Sequence, residues 1–183
     1  MLKGSVAVLD VGSSKITALT GERGVNGTFV INGMAEVPYD GFSEGEFFNA
    51  SAFKNAVNSA VKSLNYSLLK SANKIFVGVP AAFIRLENKK YRLSLGKKRR
   101  IKRRDIEDLF NAGKDKVVAS GYEIVYSSDV YFTLDDNRRV IDPIGNVSSV
   151  LGGFVCYQLC ETYFTSLVRS ALAEFKLGFV EFI

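Results

Sequence analysis

The sequence predicts an α/β protein in which a small strand-helix-strand-strand subdomain interrupts a larger unit, and three observations point that way. Val6 to Gly21 reads as two short β-prone runs on either side of a polar, glycine-containing turn. Two amphipathic helical patterns stand at opposite ends of the chain, one with Phe53, Ala56, Val57, Ala60, Val61 and Leu64 on one face, the other with Phe164, Leu167, Val168, Ala171, Leu172 and Phe175. The middle changes character without a flexible linker at either junction, which is the mark of an inserted subdomain. The predicted boundaries are 1–80 and 161–183 for the outer unit and 81–160 for the insert. At 183 residues, 47% apolar and 23% charged, the chain has material for one ordinary domain or two small ones sharing a sheet.

The elements follow in order. Val6 to Val37 predicts a three-stranded meander: the opening hairpin, the polar turn Gly21 to Thr28, then Phe29-Val30-Ile31 and Met34 to Val37. Ser43-Glu44-Gly45-Glu46 is a loop, and Asn49 or Ser51 caps the helix that follows. Lys74 to Pro80 is a buried strand ending at proline, and Phe83 to Leu95 is extended and alternating. A third helix carries Ile106, Leu109, Phe110, Gly113 and Val117 on one face. Tyr122 to Leu134 is extended again, Val140-Ile141-Asp142-Pro143 is a turn, and Val150 to Leu159 is a strand. Gly178 stops the last helix before the apolar run Phe179 to Ile183.

Composition removes several chemistries. Histidine is absent, which excludes Ser-His and Cys-His catalysis and the commonest metal ligand. Cys156 and Cys160 lack the further ligands of a zinc site and read as buried free thiols. No apolar run approaches the 18 or more residues of a membrane span and no signal peptide is visible, so the expected compartment is the cytosol. The net charge of +5 is local. Lys97, Lys98, Arg99, Arg100, Lys102, Arg103 and Arg104 are seven cations in eight positions, and removing them from the 24 basic residues leaves 17 against 19 acidic, a net of −2.

The opening turn can hold a phosphate. Gly12 lets the backbone approach an anion, successive N–H groups from Gly12 to Lys15 can converge on its oxygens, Ser13 and Ser14 can donate, and Lys15 brings positive charge. Asp10 beside a triphosphate needs a hard cation between them, so it suits Mg²⁺ held through water. The alternative is a tight hairpin with solvated serines. The basic run likewise has two readings: a solvated charge run partly paired with Asp105, Glu107 and Asp108, or an anion-binding face for an acidic segment or an anionic membrane surface. Nucleic acid is a weaker fit, because no aromatic residues are interleaved for stacking.

With these residues in place the chain resembles the amino-terminal half of the FtsA family of bacterial cell-division proteins, in the actin and Hsp70 superfamily. The resemblance rests on the hairpin Leu9 to Glu22, the Gly41 to Glu46 turn, Val77-Gly78-Val79-Pro80 ahead of the strand-helix-strand-strand insert, and Ile141-Asp142-Pro143-Ile144-Gly145. It implies the first lobe of an actin-like ATPase fold with an SHS2, or 1C, insert. By that resemblance Asp10 orients Mg²⁺, Gly12, Ser13 and Ser14 cradle the β- and γ-phosphates of ATP, and Lys15 neutralises them. It also implies an ATP-dependent scaffold on the cytoplasmic face of the membrane at the division site, which self-associates, links the FtsZ ring to the membrane and meets other division proteins through the insert. The second lobe with its adenosine motifs, the FtsZ-binding surface and the carboxy-terminal membrane helix have no counterpart in these 183 residues. The chain is therefore expected to be a piece of a longer protein, to bind little or no ATP by itself and not to act as an enzyme alone. A PilM-like pilus-assembly protein is the nearest alternative. A sugar kinase of the same superfamily lacks an obvious catalytic carboxylate here, and a stand-alone nucleic-acid binder would rest on the basic run alone.

Overall fold

A computed structural model describes residues 4–64, 69–70, 72–114, 116–177 and 179–183. Contacts divide the chain into two compact units, Met1–Ile84 with Glu161–Ile183, and Arg85–Cys160.

The first unit begins with β1 (Ser5–Val11) and β2 (Lys15–Arg23), paired antiparallel with Val11 opposite Ile16 and Ala7 opposite Thr20. Alternation puts Ala7, Leu9 and Val11 into the core. The two apolar runs expected at 29–31 and 34–37 form one strand, β3 (Phe29–Pro38), whose register with β2 shifts at Thr20/Gly21 and so absorbs the interruption at Asn32-Gly33. Residues 43–46, expected as a loop, are a tight hairpin between β4 (Phe42–Ser43) and β5 (Glu46–Phe47). Glu44 and Gly45 both have positive φ, 53° and 85°, as a primed two-residue turn requires.

Helix α1 (Ala50–Lys62) starts where the Asn49 side chain accepts from the Ala52 amide at 3.0 Å, and it buries the predicted face Phe53, Ala56, Val57, Ala60 and Val61. β6 (Ala72–Gly78) then runs parallel to β1, with Leu9 opposite Val77. The chain leaves this unit through a 3-10 turn at Ala81–Phe83. Phe83 stays with the unit because it packs on Phe164 at 4.8 Å and Phe47 at 5.4 Å between ring centroids.

The second unit contains β7 (Ile84–Arg100), α2 (Arg103–Lys114), β8 (Tyr122–Thr133), the two-residue β9 (Arg139–Val140) and β10 (Val147–Glu161), in sheet order β7-β10-β8-β9. Val140, read as part of a turn, pairs with Phe132 before the turn begins. Leu95, Ile101, Leu109, Phe132, Leu134 and Leu151 form the core, with α2 laid across the sheet. Val117 is buried as expected but lies in the turn after the helix, its N–H on the Lys114 carbonyl.

Back in the first unit, α3 (Thr162–Leu172) buries Phe164, Leu167, Val168, Ala171 and Leu172 and packs on α1. The expected stop at Gly178 lies outside the described residues. The helix tightens into a 3-10 turn at Ala173–Phe175, and Lys176 takes the left-handed conformation at φ 47°, two residues earlier. β11 (Phe179–Phe182) completes a five-stranded mixed sheet of order β11-β6-β1-β2-β3. Cys160 is buried and Cys156 half-buried, and among the described residues neither forms a disulfide.

Candidate functional site

The phosphate-loop candidate is the turn that joins β1 to β2. Its closing hydrogen bond runs from the Gly12 N–H to the Lys15 carbonyl at 3.0 Å. That corrects one expectation: the Gly12 amide closes the turn and does not face an anion. Glycine is needed there for close approach, since a Cβ would stand 2.9 Å from the Lys15 carbonyl oxygen. Ser13 and Ser14 are exposed, and neither their amides nor their hydroxyls take a partner among the described residues. They are the donors left to an anion.

Tyr39, which sequence reading did not single out, anchors the turn. Its amide donates to the Ser14 carbonyl at 2.9 Å and its hydroxyl to the Gly12 carbonyl at 2.8 Å. Both carbonyls are thereby turned back into the protein and away from any anion at the serines. Burial pushes the Tyr39 phenol up to about 12, so it stays a neutral donor at every physiological pH.

Lys15 is exposed and lies on Glu36 of β3, Nζ to Oε1 at 2.6 Å. The sequence hid this pair because β2–β3 register brings Glu36 opposite Thr17, 21 residues along the chain from Lys15. The Lys15 ammonium holds the Glu36 carboxyl below its ordinary value, with the Thr17 hydroxyl adding to the effect. Lys15 must leave Glu36, or share it, to meet a phosphate. Asp10 sits in β1 between Thr17 of β2 and Gly78 of β6, exposed and without a hydrogen bond or ion pair among the described residues. A Cβ at Gly78 would come within 3.0 Å of Asp10 Oδ1, so the glycine gives the carboxylate room. One free carboxylate beside two free hydroxyls suits Mg²⁺, which keeps most of its waters and takes few protein ligands.

The basic run divides between two elements: Lys97 to Arg100 end β7, and Arg103 and Arg104 open α2. Of the expected ion pairs only one forms among the described residues. Arg99 grips Asp105 with both guanidinium nitrogens, at 2.8 and 2.7 Å, and the carboxylate also accepts from the Lys102 amide at 2.8 Å. Asp105 thus caps its own helix from the third position, the acidic half of a capping box. The Arg99 hydrogen bonds, outweighing burial, bring its carboxyl down to about 2. Glu107 and Asp108 are exposed and pair with no cation of the run.

Comparison with known proteins agrees with this architecture. The family model described as the SHS2 domain inserted in FtsA matches residues 82–156. The cell division protein FtsA of Pseudomonas aeruginosa is 23% identical over 137 residues, which is 75% of this chain and 33% of that protein, so the chain spans about a third of its curated relative. A solved PilM-PilN type IV pilus biogenesis complex superposes with a TM-score of 0.55 at 10% identity, covering 95% of this chain and 45% of that one. The chain is thus similar to FtsA, its match to the SHS2 domain inserted in that protein falling almost wholly in the second unit, and it shares its fold with a chain of the PilM-PilN complex.

Proposed function

We propose that this chain is the first lobe of an actin-like division scaffold that binds MgATP once a second lobe completes the pocket, links the FtsZ ring to the inner face of the membrane and recruits other division proteins. The observation that supports the reading is the presence, in one chain, of a β1–β2 turn with exposed Ser13, Ser14, Lys15 and Asp10 and of a stretch that matches the SHS2 domain inserted in FtsA. In this reading the Ser13 and Ser14 amides and hydroxyls bind phosphate oxygens, with Tyr39 holding the turn in shape. Asp10 holds Mg²⁺ through water, and the ion supplies charge neutralisation to the phosphates. Lys15 exchanges Glu36 for phosphate. ATP here acts as a ligand that sets scaffold assembly, and slow hydrolysis by the longer protein is compatible with that role.

A PilM-like role in pilus assembly is the second reading, favoured by the superposition on the PilM-PilN complex. Affinity capture with the complete gene product separates the two. Co-purification of FtsZ in an ATP-dependent manner supports the division scaffold. Capture of a pilus-assembly peptide with FtsZ absent from the eluate would overturn it.

A further inference from the structure

The second unit carries a basic surface with exposed apolar residues beside it. Among the described residues Arg99 is the only member of the basic run in a salt bridge, and Lys97, Arg100, Lys102, Arg103 and Arg104 are exposed. Lys98 lies near Asp135 and lowers its carboxyl, behind the Ser149 hydrogen bonds that do most of that work. Beside these cations stands an apolar turn. Arg100 Nη1 donates to the Gly145 carbonyl at 3.3 Å, the Gly145 amide to the Ile101 carbonyl at 3.0 Å, and the Ile101 amide to the Asn146 carbonyl at 2.9 Å. The turn is therefore tied to the residues between β7 and α2.

Its shape is fixed from within as well. Asp142 Oδ1 accepts from the Ile144 amide at 2.9 Å, Pro143 is buried, and Gly145 takes φ 82°. This rigid frame holds Ile141 83% exposed, with Ile144 at 43% and Val147 at 48%. Arg103 lines the same groove as Ile141 and Ile144, and Arg100 is bonded to Gly145 next to Ile144. Lys114 and three carboxylates, Glu107, Asp129 and Asp142, share that groove, Asp142 committed to the turn.

We propose that the Ile141–Val147 turn and the cations Arg100, Lys102, Arg103 and Arg104 dock directly on an anionic lipid bilayer. A nucleic acid would use the charge but leave the held-out isoleucines in water, and an acidic polypeptide would cover them only with apolar side chains of its own. A bilayer interface takes both, the apolar tip entering the headgroup–acyl boundary and the cations meeting anionic headgroups. This docking does not depend on the phosphate turn or on FtsZ.

The test is co-sedimentation of the 183-residue chain with phosphatidylcholine vesicles, with and without about one-third phosphatidylglycerol, at low and high salt. The chain is expected to bind the anionic vesicles, to release at high salt and to ignore pure phosphatidylcholine. Arg100→Gln and Arg103→Gln should each weaken binding about fivefold. Ile141→Ser with Ile144→Ser should weaken it about tenfold at unchanged charge. All four side chains are exposed, and circular dichroism checks that the variants fold. Equal binding to neutral vesicles, or an isoleucine pair variant that binds as the parent does, would overturn the proposal. So would retention of soluble polyglutamate by a chain that no vesicle sediments.

Discussion

At the scale of single residues, Asp105 shows how a sequence that looks wrong for a helix start is made right. Three cations at the amino end of α2 oppose the helix dipole at roughly 0.3–1 kcal/mol each when exposed. Asp105 answers them by accepting from the Lys102 amide while Arg99 holds it from β7. A carboxyl lowered from 3.8 to about 2 on folding adds stability that is complete above its unfolded pKa and lost as the pH falls through the folded one. The stability difference between the parent chain and Asp105→Asn should therefore be greatest above about pH 4 and shrink toward zero as the pH falls through about 2. Denaturant melts across that window check it, and a pH-independent difference would remove the pair from the account. Sequence reading saw Asp105 as one of three carboxylates offsetting the run. It could not rank them, because the choice depends on Arg99 reaching across from the strand end.

At the scale of elements, periodicity carried nearly everything. The inward faces of α1 and α3 are those that the +3/+4 spacing named, since a buried helix stripe has no other way to be written. What local pattern could not show was pairing between distant segments: Glu36 beneath Lys15, Tyr39 behind the β1–β2 turn, and β9 taking Val140 from a turn. Gly113 is a sharper case. Sequence reading put it on the packed face of α2, and the reason is that a Cβ there would fall on the Tyr157 hydroxyl and the Tyr91 ring, both of which donate to carbonyls of that helix. Gly113→Ala gains about 1 kcal/mol of helix propensity yet should be destabilised overall by about 1–3 kcal/mol through overpacking. Urea unfolding measures the difference, and a stabilised variant would mean that α2 can ride away from the tyrosines.

At the scale of the whole molecule, two units carry two different surfaces: the β1–β2 turn with its exposed serines in the first and a basic, apolar-tipped face in the second. The division of labour was legible in outline because the hairpin, the insert and the charge run each leave a contiguous signature. The apolar turn at 141–147 was legible only as a turn, since its exposure follows from hydrogen bonds to Ile101. The β1–β2 turn offers two serines, one carboxylate and a lysine already paired with Glu36, groups that suit phosphate and a cation and not an adenine. Titration calorimetry should accordingly detect no binding of MgATP at micromolar concentrations, because few preorganised contacts compete with the solvation of a triphosphate. Micromolar affinity would show that the first lobe forms a complete site.

If the chain serves cell division as proposed, its position in dividing cells follows FtsZ. Expressed from its own gene with a fluorescent tag, it is predicted to form a ring at the division site that disperses when FtsZ is depleted. A protein that stays evenly spread through division, or gathers at pilus bases, would contradict the account.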